Sequence, residues 1–160
     1  MPITALYAAL IALLLLALSR RVIGIRRAAQ VAVGDGGNGT LLRAMRAHAN
    51  CAEYAPIGLI LIGLAESLAL PGLILHLLGL GLVAGRIVHA YGVSQEPEDF
   101  RFRVAGMALT FTAIAAAASV ALIGSIVHWM SDLPASIRRL DSAGKQSFRH
   151  CGVFSGWRTP

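Results

Sequence analysis

The chain has 160 residues, of which 56% are hydrophobic and only 14% are charged, and its mean hydropathy is +0.68. This composition is too apolar for an ordinary soluble domain and indicates an integral membrane protein. The length leaves room for about four spans of roughly 20 residues, and we expect no large catalytic domain outside the membrane. Two cysteines make no disulfide framework. The net charge of +6 does not indicate nucleic acid, because the cations lie beside apolar runs.

Apolar runs predict four membrane-spanning helices. The first run is followed rather than preceded by arginines, which favours a retained span over a cleaved signal peptide. The glycine-rich loop of residues 33–40 comes next, and its Asn38 or Thr40 is a candidate N-cap for helix 2. This loop lacks the preceding strand and the Lys-Ser/Thr pair of a phosphate-binding loop. The predicted spans are Ile3 to Ser19, Leu41 to Leu68, Leu73 to Tyr91 and Arg103 to Trp129.

We therefore expect an all-α integral membrane protein, with a four-transmembrane-helix antiparallel bundle in residues 1–130. Residues 131–160 are polar and basic without strong periodicity, and we expect a disordered tail there. Short loops bring the end of helix 1, the start of helix 2, the end of helix 3 and the start of helix 4 to one face. By the positive-inside rule this face is cytoplasmic, because it holds nine of the fourteen basic residues: Arg20, Arg21, Arg26, Arg27, Arg43, Arg46, Arg86, Arg101 and Arg103.

Polar side chains inside the predicted spans form the candidate site. Arg46, Asn50 and Glu53 follow one another at i, i+4 and i+7 and so share one face of helix 2. Ionisable groups at membrane depth usually face a bundle interior or a water-filled cavity. Internal pairing of Arg46 with Glu53 is one explanation of the stripe, and ligand binding is the other.

Further cations near the same face favour the ligand. Arg86 and His89 lie one turn apart near the end of helix 3, and Arg103 opens helix 4. One carboxylate cannot neutralise so many guanidiniums, and the surplus favours an anionic ligand. Glutathione offers carboxylates for the arginines, an amine for Glu53 and a thiol. A nearby arginine would favour the thiolate form of that thiol. Arginine suits this task because its fixed fork binds carboxylates in bidentate fashion.

Two strings of residues carry a family resemblance: Gly34-Asp-Gly-Gly-Asn38, followed by Leu42-Arg-Ala-Met-Arg-Ala-His-Ala-Asn-Cys-Ala-Glu-Tyr-Ala-Pro56. Together they resemble the helix 2 signature of the MAPEG family, the membrane-associated proteins in eicosanoid and glutathione metabolism, and especially its small bacterial branch. The stretches Gly85 to Gly92 and Arg103 to Thr110 extend the resemblance, which covers residues 3–130.

The resemblance implies a homotrimer that holds glutathione, its cosubstrate, between neighbouring subunits near the cytoplasmic face. Arg103 matches the arginine thought to stabilise the thiolate and is the expected catalytic residue. One of Arg26 or Arg27 matches the helix 1 arginine that completes the site. The other expected glutathione ligands are Arg46, Asn50, Glu53, Tyr54, Arg86 and His89.

The implied function is that of a glutathione transferase, with or without peroxidase activity, in the bacterial inner membrane. Its active site would face the cytoplasm, and a lipophilic electrophile or hydroperoxide would enter from membrane lipid. Val93 departs from the family, since several conjugating members carry a functional tyrosine there. The alternative is a non-catalytic trimer that binds glutathione, an acidic metabolite or lipid as a sensor or scaffold.

Two other classes are disfavoured. A channel or carrier would need a continuous polar stripe, which helices 1, 3 and 4 lack. Haem between histidines is not expected, because no helix carries paired histidines and the arginine cluster would be unexplained. We therefore expect no metal site, and we interpret Cys51 as a small packing residue.

Overall fold

The computed structural model describes the backbone of residues 1–97 and 99–151 and the side chains of residues 1–97 and 99–132. Over these residues the chain is helical, with α1 (Pro2–Ala28), α2 (Gly39–Ser67), α3 (Gly72–Ser94) and α4 (Phe100–Cys151) in order. Residues 1–122 form one compact unit, and a second unit begins at Ile123. The predicted all-α class is confirmed.

Three helical segments of the described part are long and apolar enough to cross a membrane: Pro2–Ala28, Gly72–Ser94 and Phe100–Asp132. Helix α2 has the length of a span, but its first half carries the charged and polar side chains of the candidate site. From Ala55 to Ala65 it is apolar, with isoleucines and leucines on the surface of the unit. The polar residues of the candidate site therefore lie in the first half of α2.

Contacts at the helix ends show the predicted antiparallel order. On α1, Arg21 donates a hydrogen bond to the hydroxyl of Ser94, the last residue of α3. The hydroxyl of Thr40, in the first turn of α2, lies 3.1 Å from a carboxylate oxygen of Glu96, just beyond α3. The end of α1, the start of α2 and the end of α3 therefore meet at one face, the basic one.

The opposite face joins the start of α1 to the end of α2. The carboxylate of Glu66 accepts hydrogen bonds from the backbone N–H groups of Ile3 and Thr4, at 3.0 and 2.8 Å. The first N–H groups of a helix lack partners inside it, and a carboxylate also complements the positive end of the helix dipole. Glu66 therefore caps α1 from a different helix.

Apolar side chains pack the helices into two clusters. One joins α1, α2 and α3 below the basic face, and the other joins α2, α3 and α4 towards the opposite face. The first contains Ile11, Leu18, Ala47, Cys51, Ala55, Ala90 and Val93, and the second contains Ile62, Ala65, Leu75, Leu78, Leu82, Ala113 and Ala117. Small residues in both allow the close approach that membrane helices use for packing. The burial of Cys51 fits its interpretation as a packing residue.

Replacing Gly79 by alanine is expected to destabilise the contact between α1 and α3. Tyr7 is buried, its hydroxyl lies 3.0 Å from Nδ1 of His76, and its ring lies against Gly79. A Cβ at Gly79 would sit 2.3 Å from a ring carbon of Tyr7, so the ring would have to move. We expect Gly79→Ala to lower the free energy of unfolding in detergent by about 1–3 kcal/mol.

The matched control is Gly81→Ala on the same helix, where a Cβ would meet that of Ala113 at an ordinary 3.4 Å. It should leave the unfolding free energy within about 1 kcal/mol of the wild-type value. Equal losses in the two variants would contradict the assignment of the effect to Tyr7.

The predicted end of helix 4 near Trp129 was wrong, because α4 continues to Cys151. Hydropathy marks the part of a helix that is buried or in lipid, and it carries no information on a polar continuation. The last part of the predicted tail, residues 152–160, lies outside the described residues, as do the side chains of residues 133–151.

Candidate functional site

A cleft of about 330 Å³ lies between the start of α2, the end of α3 and the start of α4. Its lining consists of Gly39, Leu42, Arg43, Arg46, Asn50, His89, Val93 and Arg103. Among the described residues, no acidic side chain lines it. Four of the predicted site residues therefore meet in one cavity: Arg46, Asn50, His89 and Arg103.

The register of α2 aims its polar residues at the cleft. The side chain of Asn38 accepts a hydrogen bond from the backbone N–H of Leu41 at 2.9 Å, and so begins the helix as an N-cap. From there Arg43, Arg46 and Asn50 recur at helical spacing and lie along one face. Of the two predicted candidates, Asn38 and Thr40, the N-cap is therefore Asn38.

Glycines bring α3 and α4 close enough to share the cleft. A Cβ at Gly92 would lie 2.5 Å from the backbone nitrogen of Arg103, and one at Gly106 would lie 2.4 Å from that of His89. Backbone atoms cannot yield as side chains do, so these positions need glycine for the observed packing. The close approach places His89 and Arg103 on two walls of the same cavity.

Arg86 lies below the cleft and does not line it. Its side chain is 1% exposed. Its Nη1 donates to Oδ1 of Asn50 at 2.5 Å, and its Nε donates to the hydroxyl of Thr110 at 2.9 Å. Its guanidinium carbon also lies 5.6 Å from the centre of the Tyr54 ring. The sequence predicted Arg86 as a direct ligand, whereas in the described structure it supports Asn50.

Two further predicted ligands on α2 lie outside the cleft. Tyr54 is half-buried and contacts Phe111 of α4 edge to face, with ring centres 5.4 Å apart. Glu53 is exposed on the surface of the single chain. The stripe of Arg46, Asn50 and Glu53 therefore divides, with Arg46 and Asn50 at the cleft and Glu53 beside it.

The two candidate arginines of helix 1 also lie outside the cleft. Arg26 donates hydrogen bonds to the carbonyl oxygens of Val31, Ala32 and Gly34, at 3.2, 3.2 and 3.0 Å. It thereby holds the loop between α1 and α2, where Gly34, with a φ of 72°, allows the chain to turn. Arg27 is exposed. In the single chain, then, neither arginine completes the cleft.

Arg43 lines the cleft although it was not predicted as a site residue. Its Nη2 lies 2.8 Å from Oε1 of Glu96, and its Nε lies 3.1 Å from the same oxygen. Glu96 thus ties the α3–α4 connection to the first turns of α2. A sequence signal existed, because Arg43 precedes Arg46 by three residues and therefore shares its face of the helix.

The ion pair at Glu96 predicts a pH dependence. Hydrogen bonds from Arg43 and then from Thr40 hold the pKa of the Glu96 carboxyl below its usual value. A carboxyl whose folded pKa is depressed stabilises the fold above its unfolded pKa, and this contribution is lost as the pH falls through the folded pKa. We expect an NMR titration of labelled glutamate side chains to give Glu96 a midpoint below that of an ordinary exposed glutamate.

In the Arg43→Gln variant the midpoint of Glu96 should move up towards the ordinary value, since the first of these hydrogen bonds is weakened and the positive charge is gone. A wild-type midpoint at or above the ordinary value would show that the pair does not form in solution.

Comparisons with known proteins place these residues in a family context. The family model described as "MAPEG family" matches residues 4–123. The chain is 40% identical over 112 residues to the inner membrane protein YecN of Escherichia coli strain K12, which covers 70% of this chain and 84% of that protein. The inner membrane protein YecN of Escherichia coli O6:H1 matches with the same identity and coverage. The residues matched by the family model include every residue that lines the cleft.

Proposed function

We propose that the arginine-lined cleft of this chain, which belongs to the MAPEG family of membrane proteins, binds glutathione and activates the glutathione thiol. The observation that carries the proposal is the convergence of Arg43, Arg46 and Arg103, from two helices, on one cavity, where Glu96 pairs with Arg43 from outside the lining. A cleft at the membrane surface with this lining attracts an anion, and guanidiniums bind carboxylates through paired N–H donors.

The reaction follows from a thiolate held beside an arginine. When the thiol loses its proton, the guanidinium of Arg103 stabilises the negative charge on sulfur. The sulfur then donates an electron pair to an electrophilic carbon, forming a carbon–sulfur bond as the leaving group departs with its electrons. With a hydroperoxide it attacks the terminal oxygen instead, the O–O bond breaks, and the departing alkoxide takes up a proton and leaves as an alcohol. The sulfur is thereby oxidised to a sulfenic acid, which a second glutathione reduces to the disulfide with release of water.

Apolar surface beside Arg103 supports a lipophilic second substrate. The apolar residues close to Arg103 in the sequence are exposed: Phe100 by 63%, Phe102 by 45% and Val104 by 62%. Tyr91 of α3 packs edge to face on Phe102, with ring centres 5.4 Å apart. Large exposed apolar groups beside a polar cleft are typical of a lipid-facing entry, so an apolar electrophile dissolved in the membrane would reach the thiolate from this side.

The exposed face of α2 supports a homotrimer with the site between subunits. Arg46 and Glu53 are exposed there, in line with the exposed apolar side chains of Leu42, Ile57 and Leu64. Charged groups facing lipid at membrane depth are costly, so this face favours a neighbouring subunit over lipid as its partner. Across such an interface Glu53, and an arginine from α1, could join the cleft of another chain.

The basic face supports a cytoplasmic orientation of the cleft. Arg20, Arg27 and Arg101 are exposed at this face, and positive charge beside membrane spans favours the cytoplasmic side. We propose that the protein lies in a bacterial inner membrane, where cytoplasmic glutathione would reach the cleft directly.

The proposal is tested by a glutathione-dependent thermal shift on the detergent-solubilised protein. We expect glutathione to raise the unfolding temperature of the wild type, since a ligand that binds only the folded state stabilises it. Arg46→Ala should weaken binding about 10–100-fold, the effect of removing a charged hydrogen-bond donor. Glu53→Ala should weaken it as well if the amine of glutathione meets Glu53 across the interface.

The matched control is Arg101→Ala, which removes an exposed arginine at the same face that does not line the cleft. It should keep the wild-type shift. The absence of any shift with wild-type protein would contradict the proposal, and an equal loss in the Arg46 and Arg101 variants would show non-specific charge attraction. Binding without formation of the thiolate would favour the sensor or scaffold function.

A further inference from the structure

We infer that Thr110, Arg86 and Asn50 form a relay of hydrogen bonds that fixes the Asn50 amide with its NH₂ group towards the cleft. Arg86 is then a positioning residue and not a ligand, and the cleft is a site for carboxylate oxygens and not for an ammonium group. The identity of the ligand as glutathione rests on the proposed function, whereas the relay rests on the contacts of the buried side chains.

The orientation of the amide follows from the chemistry of arginine. A guanidinium has only N–H donors, so any group that it contacts must present an acceptor. Arg86 Nη1 lies 2.5 Å from the side-chain oxygen of Asn50 and 3.3 Å from its backbone oxygen. The amide oxygen of Asn50 is therefore committed to Arg86. Because Asn50 also lines the cleft, its amide nitrogen is the atom that remains for a ligand.

Thr110 holds the other edge of the guanidinium. Its side chain is 0% exposed, and its hydroxyl donates to the carbonyl oxygen of Gly106 at 2.8 Å. With the proton directed there, the hydroxyl oxygen accepts from Nε and Nη2 of Arg86 at 2.9 and 2.5 Å. Gly85 makes room for this contact, since a Cβ at that position would lie 2.4 Å from the same oxygen. Arg86 is thus held from two helices and cannot turn away from Asn50.

The relay determines which end of a ligand the cleft accepts. The amide nitrogen of Asn50 and the guanidiniums of Arg43, Arg46 and Arg103 are all donors. Ligand atoms that meet these groups must be acceptors, and a carboxylate offers several lone pairs and the matching charge. An ammonium group has only donors and cannot accept from these groups. For glutathione the cleft therefore binds a carboxylate end, and the amine lies towards another part of the site.

The first test alters Thr110, which does not line the cleft. Thr110→Val keeps the shape of the side chain but removes the acceptor for Arg86, whereas Thr110→Ser keeps the hydroxyl. We expect Thr110→Val to weaken glutathione binding about tenfold and Thr110→Ser to stay within about twofold of the wild type. Equal affinities in the two variants would overturn the relay, and the folded fraction of each without ligand serves as the stability control.

The second test reads the orientation of the amide. If Asn50 donates to a carboxylate, affinity should fall in the order wild type, Asn50→Ala, Asn50→Asp, because aspartate adds repulsion to the loss of the donor. If the amide presented its oxygen, Asn50→Asp would bind as tightly as the wild type, and the inference would be wrong.

Both tests are run with glutathione and with citrate, a carboxylate probe that lacks an amine and a thiol. Binding of citrate but not of glutathione by the wild type would contradict the proposed function, and the Thr110 and Asn50 series with citrate would still decide on the relay. Binding of neither probe would overturn both the relay and the proposed function.

Discussion

Arg103→Ala is expected to lower the turnover of glutathione about 100-fold, while glutathione binding weakens by no more than about tenfold. In the proposed reaction Arg103 stabilises the negative charge on sulfur, so its loss should affect the reaction most. Binding should suffer less, because Arg43, Arg46 and Asn50 also line the cleft. The ultraviolet absorbance of bound thiolate at neutral pH measures the effect directly. It should be present in the wild type and absent from Arg103→Ala.

Arg103→Lys is a useful second variant, because it keeps the positive charge but loses the paired N–H donors of the guanidinium. This variant should retain part of the thiolate absorbance. The control is Arg101→Ala, which removes an exposed neighbouring arginine and should leave the absorbance unchanged. A thiolate signal of wild-type size in Arg103→Ala would assign the activation of the thiol to another residue.

Gly106→Ala is expected to have the largest effect on stability, a loss of about 3 kcal/mol in the free energy of unfolding. A Cβ on this residue would lie 2.4 Å from the backbone nitrogen and 2.7 Å from the Cα of His89. Helices α3 and α4 would have to separate, and the cleft between them would lose its shape. Unfolding in detergent, followed by circular dichroism, measures the loss, and glutathione binding should fall with it.

Gly24→Ala on α1 is the control, because a Cβ there meets no atom within 4 Å. Since alanine favours helix more than glycine does, this variant should be neutral or more stable by up to about 1 kcal/mol. A Gly106→Ala protein as stable as the wild type would show that α3 and α4 can pack without the observed close contact.

The helices and their shared basic face follow from the sequence because their causes are local. Apolar runs of span length and turns rich in glycine and proline indicate α1 to α4, and the asymmetry of arginines indicates which ends meet. The end of α4 could not be predicted in this way, since its polar continuation has no apolar periodicity. The family resemblance, carried by the motif from Arg46 to Pro56, is confirmed by the match over residues 4–123.

The site was predictable only in part, because the side-chain contacts depend on packing between helices. Arg46, Asn50, His89 and Arg103 were predicted and do line one cleft. The burial of Arg86 could not be read from its spacing, because it depends on Thr110 of another helix. Arg26 was a candidate ligand, and the carbonyl groups of its own loop bind it instead.

The most direct measurement is a structure of the protein in lipid nanodiscs with bound glutathione. We expect density for a glutathione carboxylate within hydrogen-bonding distance of Arg43, Arg46 and the Asn50 amide nitrogen, with the sulfur against Arg103 and a neighbouring subunit closing the cleft. Glutathione bound elsewhere, or these guanidiniums contacting only lipid headgroups, would contradict the proposed site.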